Sequence, residues 1–467
     1  MSVFTKAGSL FRLFKQALKG EEHSYTSGSI DKAIFMLSIP MILEMSMESL
    51  FAIVDAFYVS RLGVDALATV SLTESVLTLV YSIAIGLSMG ATAMVARRVG
   101  EGNVPEAARS GVQAIYLATG ISLLISVVGL FFAENILALM GASQSVIDTG
   151  AGYTRWMLGG NITIMLIFLI NAIFRGAGDA SLAMRVLILS NGLNIVLDPI
   201  FIFGFGPIPA FGVEGAAIAT TIGRGVGVVY QLAHLLYGKG LIKVHRQNLP
   251  IDVGLIGRLI KVSAGGTGQF IIASASWIFL VRIVSTFGSE ALAGYTIAIR
   301  VIVFAILPAW GMANASATLV GQNLGAGHPD RAERSVWRTG FFNMVFMVFV
   351  TITFLTLARP IVEFFTTDAA VLHNAIQCLQ IVALGYVFYA YGMVVAQSFN
   401  GAGDTRTPTL LNFVAFWMFQ IPLAYALAIG FNLGPMGVYV AIVVAESLLA
   451  VAGILIFRRG KWKTVKI

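Results

Sequence analysis

Charged residues are scarce in this sequence of 467 residues. Asp, Glu, Lys and Arg make up 11% of the chain and apolar residues 57%, and the mean hydropathy is +0.86. Because soluble domains carry about 25% charged residues, this composition excludes an ordinary soluble globular protein. The apolar residues instead form many long runs, and a run of about 20 is enough for a helix to cross a bilayer. We therefore expect an all-α polytopic membrane protein.

Cysteine and histidine are also scarce. The single cysteine, Cys378, excludes an internal disulfide. The five histidines are scattered and show no metal-ligand spacing. The chain also lacks a Gly-x-x-x-x-Gly-Lys-Ser/Thr loop, so nothing indicates direct use of ATP. We expect no enzyme activity and no cofactor other than a coupling ion, proton or sodium, and the histidines and cysteine indicate no metal site.

What the chain does contain is a repeat of itself. The sequence aligns with itself at an offset of 225 residues, so that Gly86 falls on Gly311 and Gly100 on Gly325. The stretch Phe-Arg-Gly-Ala-Gly-Asp at 174–179 falls on Phe-Asn-Gly-Ala-Gly-Asp at 399–404. Many transporters consist of such repeats, with the substrate site at their interface. We predict two homologous six-helix lobes, a first lobe of residues 26–246 and a second lobe of residues 247–467.

Twelve apolar spans are predicted, which puts both termini on one side of the membrane. The spans are 31–59, 66–97, 110–133, 149–174, 182–206, 212–237, 254–285, 291–321, 337–358, 372–399, 407–430 and 435–457. The loops and tails on the terminal side are rich in basic residues: Arg97, Arg98, Arg109, Lys239, Lys243, Arg246, Arg331, Arg334, Arg338, Arg458 and Arg459. The positive-inside rule then predicts cytoplasmic termini in the plasma (inner) membrane.

The basic residues do not require a nucleic-acid partner, because they lie in short loops between spans and so report topology. Residues 1–25 form a further basic segment, in which phenylalanine and leucine alternate with lysine and arginine. This pattern is typical of an amphipathic anchor on the inner leaflet. The segment lacks the apolar core and cleavage site of a signal peptide.

Charges inside a membrane are costly, and they are functional by default. The first span holds Glu44, Glu48 and Asp55, whose spacings of 4 and 7 residues place them on one stripe of a helix. In the second copy this stripe is uncharged: Gln269, Ala273 and Leu280. Two simpler interpretations stay open. Glu44 could be solvated near a helix end, and Asp55 could form a surface pair with Arg61.

The fourth and fifth spans show the same asymmetry. Asn194 and Asp198 share a helix face, and Pro199 loosens the helix beside them. Tyr153 and Asn171 lie in the fourth span. The counterparts in the second copy are Phe419, Leu423, Cys378 and Ala396. A role in packing alone would be kept in both copies, so we predict a proton or cation site in the first lobe only. Asp179 and Asp404 occur in both copies and are predicted to be helix caps.

Several motifs together make the sequence resemble the multidrug and toxic compound extrusion (MATE) transporters, from Gly28 to about residue 455. The motifs are Ser38-Ile39-Pro40, Val54-Asp55, Arg61-Leu62-Gly63, Arg97-Arg98-Val99-Gly100, the Gly-Ala-Gly-Asp stretch after the fourth span, and Asn194-Ile195-Val196-Leu197-Asp198-Pro199. The last of these resembles the DinF-like branch.

The resemblance implies a bilobed twelve-helix antiporter that works by alternating access. We expect the protein to be a monomer. It implies efflux of bulky, often cationic organic compounds in exchange for protons or sodium. The coupling-ion site of that branch maps onto Asp55, Tyr153, Asn171, Asn194 and Asp198. Glu48 stands where other members often have an uncharged polar residue, and the extra carboxylate favours protons. Glu44 is a possible accessory group. The NorM-like branch often also uses acidic residues in the second lobe, and we expect no equivalent acid deep within the second lobe of this chain.

Two other functions are the alternatives to an exporter. A lipid-linked or saccharide flippase of the same superfamily would tend to have extra spans or a basic central cavity, and the sequence shows neither clearly. A membrane-embedded enzyme would need clustered catalytic or metal-binding residues at one membrane face, and the scattered histidines argue against it.

Overall fold

The fold is helical throughout the described chain. The computed structural model describes residues 12–20 and 25–467, and within these ranges no β-strand forms. Twelve long helices follow one another: α1 (Ile30–Ser60), α2 (Val64–Gly100), α3 (Val104–Leu139), α4 (Gln144–Gly176), α5 (Ala180–Phe203), α6 (Val213–Tyr237), α7 (Val253–Ser285), α8 (Ser289–Gly325), α9 (Pro329–Glu363), α10 (Ala369–Ala383 with Tyr386–Ala402), α11 (Arg406–Gly430) and α12 (Pro435–Arg458). The predicted fold class is confirmed.

Most of these helices could cross a bilayer. In the described residues, ten are long and apolar enough to do so, and the bent pair α10 makes an eleventh. The remaining helix, α6, is 25 residues long but less apolar, since it carries Glu214 and Arg224. The chain is therefore a multi-pass membrane protein.

Two helices are broken at equivalent places of the repeat. Helix α4 consists of Gln144–Gly159 and Asn161–Gly176, on either side of Gly160. Helix α10 bends by 60° at Leu384 and Gly385, and Gly385 is the repeat counterpart of Gly160. The sequence analysis predicted each as one continuous span. A glycine lowers the cost of leaving helical geometry, which explains why the break occurs there in both copies.

Glycines also let the two halves approach each other closely. A Cβ atom added at Gly100 would lie 2.0 Å from the carbonyl oxygen of Gln322, and one added at Gly325 would lie 2.1 Å from that of Arg97. These two contacts are repeat counterparts of each other. The Arg97 side chain also donates to the carbonyl of Val465. The halves therefore pack backbone to backbone at the end that carries the carboxyl terminus.

The same symmetry continues toward the middle of the helices. A Cβ at Gly86 would lie 2.5 Å from the backbone nitrogen of Thr267, and one at Gly311 would lie 2.8 Å from the carbonyl oxygen of Met41. Helices α2 and α7 thus cross closely, as do α8 and α1. The close contacts between the two copies thus lie in the first halves of α1 and α7 and in the second halves of α2 and α8.

The predicted aspartate caps are confirmed. Asp179 accepts a hydrogen bond from the backbone of Leu182 at the start of α5, and Asp404 accepts one from the backbone of Thr407 at the start of α11. Of the predicted amphipathic segment, residues 12–19 are helical, whereas residues 1–11 and 21–24 lie outside the described part. The boundary between the lobes and the membrane side of the termini stay predictions.

Candidate ion-coupling site in the first lobe

The predicted site residues lie on α1, α4 and α5, and most of them are buried. Asp198, Asn194, Asn171, Tyr153 and Glu44 are each no more than 3% exposed. Asp55 is 9% exposed, and the Glu48 side chain is the most open at 24%. The structure divides these seven side chains into three groups, each with its own partners.

The first group is an aspartate–asparagine pair on α5. Asn194 donates from Nδ2 to Oδ1 of Asp198 over 3.2 Å and to Oγ1 of Thr220 over 3.1 Å. Oδ2 of Asp198 and Oδ1 of Asn194 are buried without a hydrogen-bond partner in the described chain. Because unpaired buried oxygens are costly, this pair is suited to bind a proton or a cation. Pro199 follows directly, and its missing N–H leaves a backbone carbonyl of the helix free one turn earlier.

Asp55 on α1 belongs with this pair. Its Oδ1 is also buried, with no partner among residues 12–20 and 25–467. Asp55 lies close enough to Asp198 for the two carboxylates to repel each other, and it also lies near the hydroxyl of Tyr153. We define Asp55, Tyr153, Asn194 and Asp198 as the aspartate pocket. Its unpaired oxygens belong to three side chains from two helices.

The second group is built around Glu44 and differs in character. Oε1 of Glu44 accepts hydrogen bonds from Arg175 and from Asn171, and Arg175 forms an ion pair with it. Asn171 in turn accepts a hydrogen bond from Gln231 over 2.7 Å. Glu44 is therefore paired inside the protein through Oε1 and is not solvated at a helix end, while its Oε2 is buried without a hydrogen-bond partner in the described residues. Asn171 therefore belongs to the Glu44 group, because its hydrogen bonds are to Glu44 and Gln231 and not to residues of the aspartate pocket.

The second lobe makes the same interhelical contact without charges. Gln269 and Asn400 are the repeat counterparts of Glu44 and Arg175. They exchange two amide hydrogen bonds of 2.9 and 3.2 Å. A contact that survives in both copies favours a structural role, and it connects the first helix of each lobe to the end of the fourth.

The third group joins Glu48 to Arg224 on α6. Arg224 is 4% exposed and lies 3.4 Å from Oε1 of Glu48. It also donates to the hydroxyl of Tyr81 over 3.0 Å, and its guanidinium lies 5.2 Å from the ring centre of Phe51. Asn191 donates to the other carboxylate oxygen of Glu48 over 3.4 Å. Glu48 thus has a counter-ion, whereas the aspartates of the pocket have none in direct contact in the described chain.

Sequence reasoning missed Arg224, although a signal existed. It is the only lysine or arginine between Val213 and Tyr237, and its repeat counterpart is Leu449. Arg175 and Arg224 pair with Glu44 and Glu48, which leaves Asp55 and Asp198 without an arginine partner in the described residues. Glu74 adds a further carboxylate close to Asp55. A low-dielectric surrounding makes two unpaired negative charges costly, so the pocket favours a proton or a cation.

The expectation that the second lobe holds no deep acid is wrong. Glu446 lies in α12, and its Oε2 is buried without a partner in the part of the chain that the structure describes. It lines a cavity of about 40 Å³ with Trp277, Tyr386 and Tyr389. The repeat counterpart of Glu446 is Thr221, so this acid occurs in the second copy only. A lone glutamate in an apolar span was the available signal.

Comparison with known proteins supplies the family. The MatE family model matches residues 40–200 and again 267–426. "Probable multidrug resistance protein NorM" of Thermotoga maritima is 26% identical, covering 97% of both chains. An "FAD transporter" of Shewanella oneidensis is 25% identical over 92% of this chain and 95% of its own length.

Solved structures agree with this similarity. A MOP superfamily transporter from Pyrococcus furiosus superposes with a TM-score of 0.89 at 27% identity, covering 96% of this chain and all of its own. It is described as having a binding pocket of reversed polarity that suggests a different function. An outward-facing multidrug resistance MATE family transporter superposes with a TM-score of 0.88 at 27% identity, covering 97% of this chain and 98% of its own.

Proposed function

The chain belongs to the MatE family of membrane transporters, and from this premise we propose that it is a cation-coupled exporter of bulky organic compounds. The cargo class is organic molecules that are often cationic, moved by alternating access in exchange for an inward-moving ion. The names of relatives that export drugs support this cargo class. We further propose that the protein works as a monomer in the plasma membrane, with both termini in the cytoplasm.

One observation carries the coupling proposal. The aspartate pocket has unpaired buried oxygens on Asp55, Asn194 and Asp198, and the second copy has leucine or phenylalanine at all three positions. A group kept only for packing would recur in both copies, as the contact of Glu44 does. The pocket therefore suits a ligand that is present in one state of the cycle and absent in another.

In the proposed mechanism, the ion works by changing the charge of the pocket. When the pocket is empty, its two carboxylates repel each other, and this repulsion disfavours close packing of α1 against α5. A proton or cation removes the repulsion and lets the two helices adopt a different packing. Pro40 and Pro199 interrupt the backbone hydrogen bonding of these helices, so each can bend there at reduced cost.

Exchange requires that the ion and the cargo prefer different states of the protein. In the present state the halves touch at the end that carries the carboxyl terminus. With cytoplasmic termini, this is the outward-facing state, in which the cargo leaves and the ion enters. Closure of the opposite end would then carry the ion inward.

We favour the proton over sodium as the coupling ion. Sodium would need several oxygen ligands, which Asp55, Asn194 and Asp198 could supply. A proton needs a single carboxylate, and Glu48, which is paired with Arg224, adds a partly exposed carboxylate to the same helix as Asp55. The extra acid offers a route for protons that sodium would not require.

Transport in vesicles tests the proposal. A fluorescent cationic dye would be followed in vesicles while pH and sodium gradients are imposed separately. We expect a pH gradient alone to drive the dye, and Asp55→Asn or Asp198→Asn to abolish the driven movement while the protein still inserts. The matched changes in the second lobe, Leu280→Ala and Leu423→Ala, should be milder. Normal driven transport by both aspartate variants would overturn the proposed site.

A further inference from the structure

A basic cavity lies between the two halves, away from the aspartate pocket. It measures about 480 Å³ and is bounded on one side by the beginning of α1, at Ser29 and Ile30. The other side is formed by Arg331, Arg334 and Trp337 near the beginning of α9. The two sides belong to different copies of the repeat, so anything bound here would touch both halves.

The cavity has more positive charge than its carboxylates can balance. Arg338 is paired with Asp31. Arg331 donates to the backbone carbonyls of Tyr25, Ser27 and Gly28, and it forms no ion pair with a carboxylate in the described residues. Its charge is therefore held in place by neutral groups.

Arg334 is the second unbalanced cation. It donates only from Nε, over 3.4 Å, to the backbone carbonyl of Asp330, and it has no carboxylate partner within residues 12–20 and 25–467. The nearby carboxylates of Asp330 and Glu333 are instead paired with Lys463, at 3.3 and 2.6 Å. Arg334 also lies close enough to repel Arg331. Among the described residues, two guanidinium groups thus face one cavity without a carboxylate partner.

The beginning of α1 adds to this positive field. Helix α1 is 31 residues long and starts at the cavity wall. Its first turn leaves backbone N–H groups without helical partners, and a helix start attracts anions through these groups and the helix dipole. The cavity therefore suits an anion with several oxygens, such as a phosphate group, which arginine binds well.

The lining indicates which phosphate. Trp337 and Ile30 give the cavity an apolar side next to its cations. Two membrane-spanning helices begin here, and tryptophan is enriched at this level of the bilayer. Basic pockets between membrane helices on the cytoplasmic side bind anionic lipid head groups. We propose that this cavity binds the phosphate head group of an anionic phospholipid of the adjacent leaflet.

Such a lipid would act as a clamp on the conformation. The Arg338–Asp31 pair already joins α9 to α1 at this end. A head group between Arg331, Arg334 and the beginning of α1 adds a second bridge across the same gap. Anionic lipid should therefore stabilise the state in which the halves touch at this end.

Native mass spectrometry of the full-length protein, released from nanodiscs of mixed phosphatidylglycerol and phosphatidylcholine, tests the proposal. Arg334→Gln should reduce bound phosphatidylglycerol about fivefold, as expected from removing one arginine contact with an anionic lipid. Arg359→Gln is the control on the same helix, because Arg359 is exposed at the opposite end and pairs with Glu363. It should retain the lipid bound by the parent protein.

A second measurement separates lipid from free anion and from misfolding. The apparent melting temperature in detergent should rise on addition of phosphatidylglycerol and much less on addition of millimolar inorganic phosphate. Arg334→Gln should melt like the parent without lipid and lose the rise. Equal lipid binding by Arg334→Gln and Arg359→Gln would overturn the proposal, as would equal stabilisation by inorganic phosphate. Neither readout depends on transport, so the result stands apart from the proposed function.

Discussion

The charged contact between Glu44 and Arg175 should be replaceable by the neutral contact of the second lobe. Glu44→Gln alone leaves the buried guanidinium of Arg175 without its counter-ion. Breaking a buried ion pair costs about 3–5 kcal/mol. Because the Arg175 side chain is 11% exposed and a glutamine can still accept one hydrogen bond, we expect a loss of about 2 kcal/mol.

Adding Arg175→Asn should restore part of this stability. The double variant, Glu44→Gln with Arg175→Asn, has the same residues that Gln269 and Asn400 provide in the second lobe. A favourable coupling of about 1–2 kcal/mol is expected, within the range for contacting residues. The whole loss should not be recovered, since asparagine fills less of the space that arginine occupied.

A double-mutant cycle on the purified protein measures this coupling. The apparent melting temperatures of parent, two single variants and double variant would be compared in one detergent. The double variant should melt above Glu44→Gln. If the loss of stability in the double variant equals the sum of the losses in the two single variants, Glu44 and Arg175 do not act as a structural pair. Glu44 would then be a candidate for ion coupling.

The remaining predictions concern the other ion pair, the contact between the halves and the topology. Arg224→Leu should lower the apparent melting temperature, because the Glu48 carboxylate and the Tyr81 hydroxyl both lose their partner; an unchanged melting temperature would contradict this. Gly100→Ala should shift the protein away from the present state, since its Cβ would clash with a carbonyl of the other half. A cysteine introduced at the end of the molecule that carries the carboxyl terminus should then become more accessible to a thiol reagent. Gly120→Ala is the control, because its Cβ would meet nothing within 4 Å. Cysteines placed in residues 238–252 should resist an impermeant thiol reagent in intact cells, whereas labelling from outside would contradict the twelve-span topology.

The sequence was sufficient for the helices and for the asymmetry between the copies. Long apolar runs define membrane helices without knowledge of their neighbours. The absence of Asp198 and Asp55 from the matching positions of the second copy is likewise visible when the two copies are aligned, without any structure. The interruption at Gly160 and Gly385 was not predicted, because a glycine inside an apolar run is also compatible with a continuous helix.

Partners across helices could not be predicted. Glu44, Glu48 and Asp55 share one stripe of α1 and look equivalent in sequence. Only the packing of α4 and α6 against α1 shows that Arg175 pairs with the first and Arg224 with the second. Asp55, the residue farthest along the helix, is the one without an arginine partner among the described residues. Which carboxylate has an arginine partner depends on which helices are neighbours, and the sequence of one span does not show its neighbours.

Cargo affinity measured against pH tests the central claim most directly. Binding of a fluorescent cationic dye to the purified protein would be measured from about pH 4, near which an ordinary carboxyl group titrates, to about pH 8, with and without sodium. Proton coupling through the aspartate pocket predicts that affinity falls as the pH is lowered, and that Asp198→Asn flattens this dependence. Affinity that is independent of pH but lowered by sodium would contradict the proton assignment, and a dependence unchanged by Asp198→Asn would contradict the site.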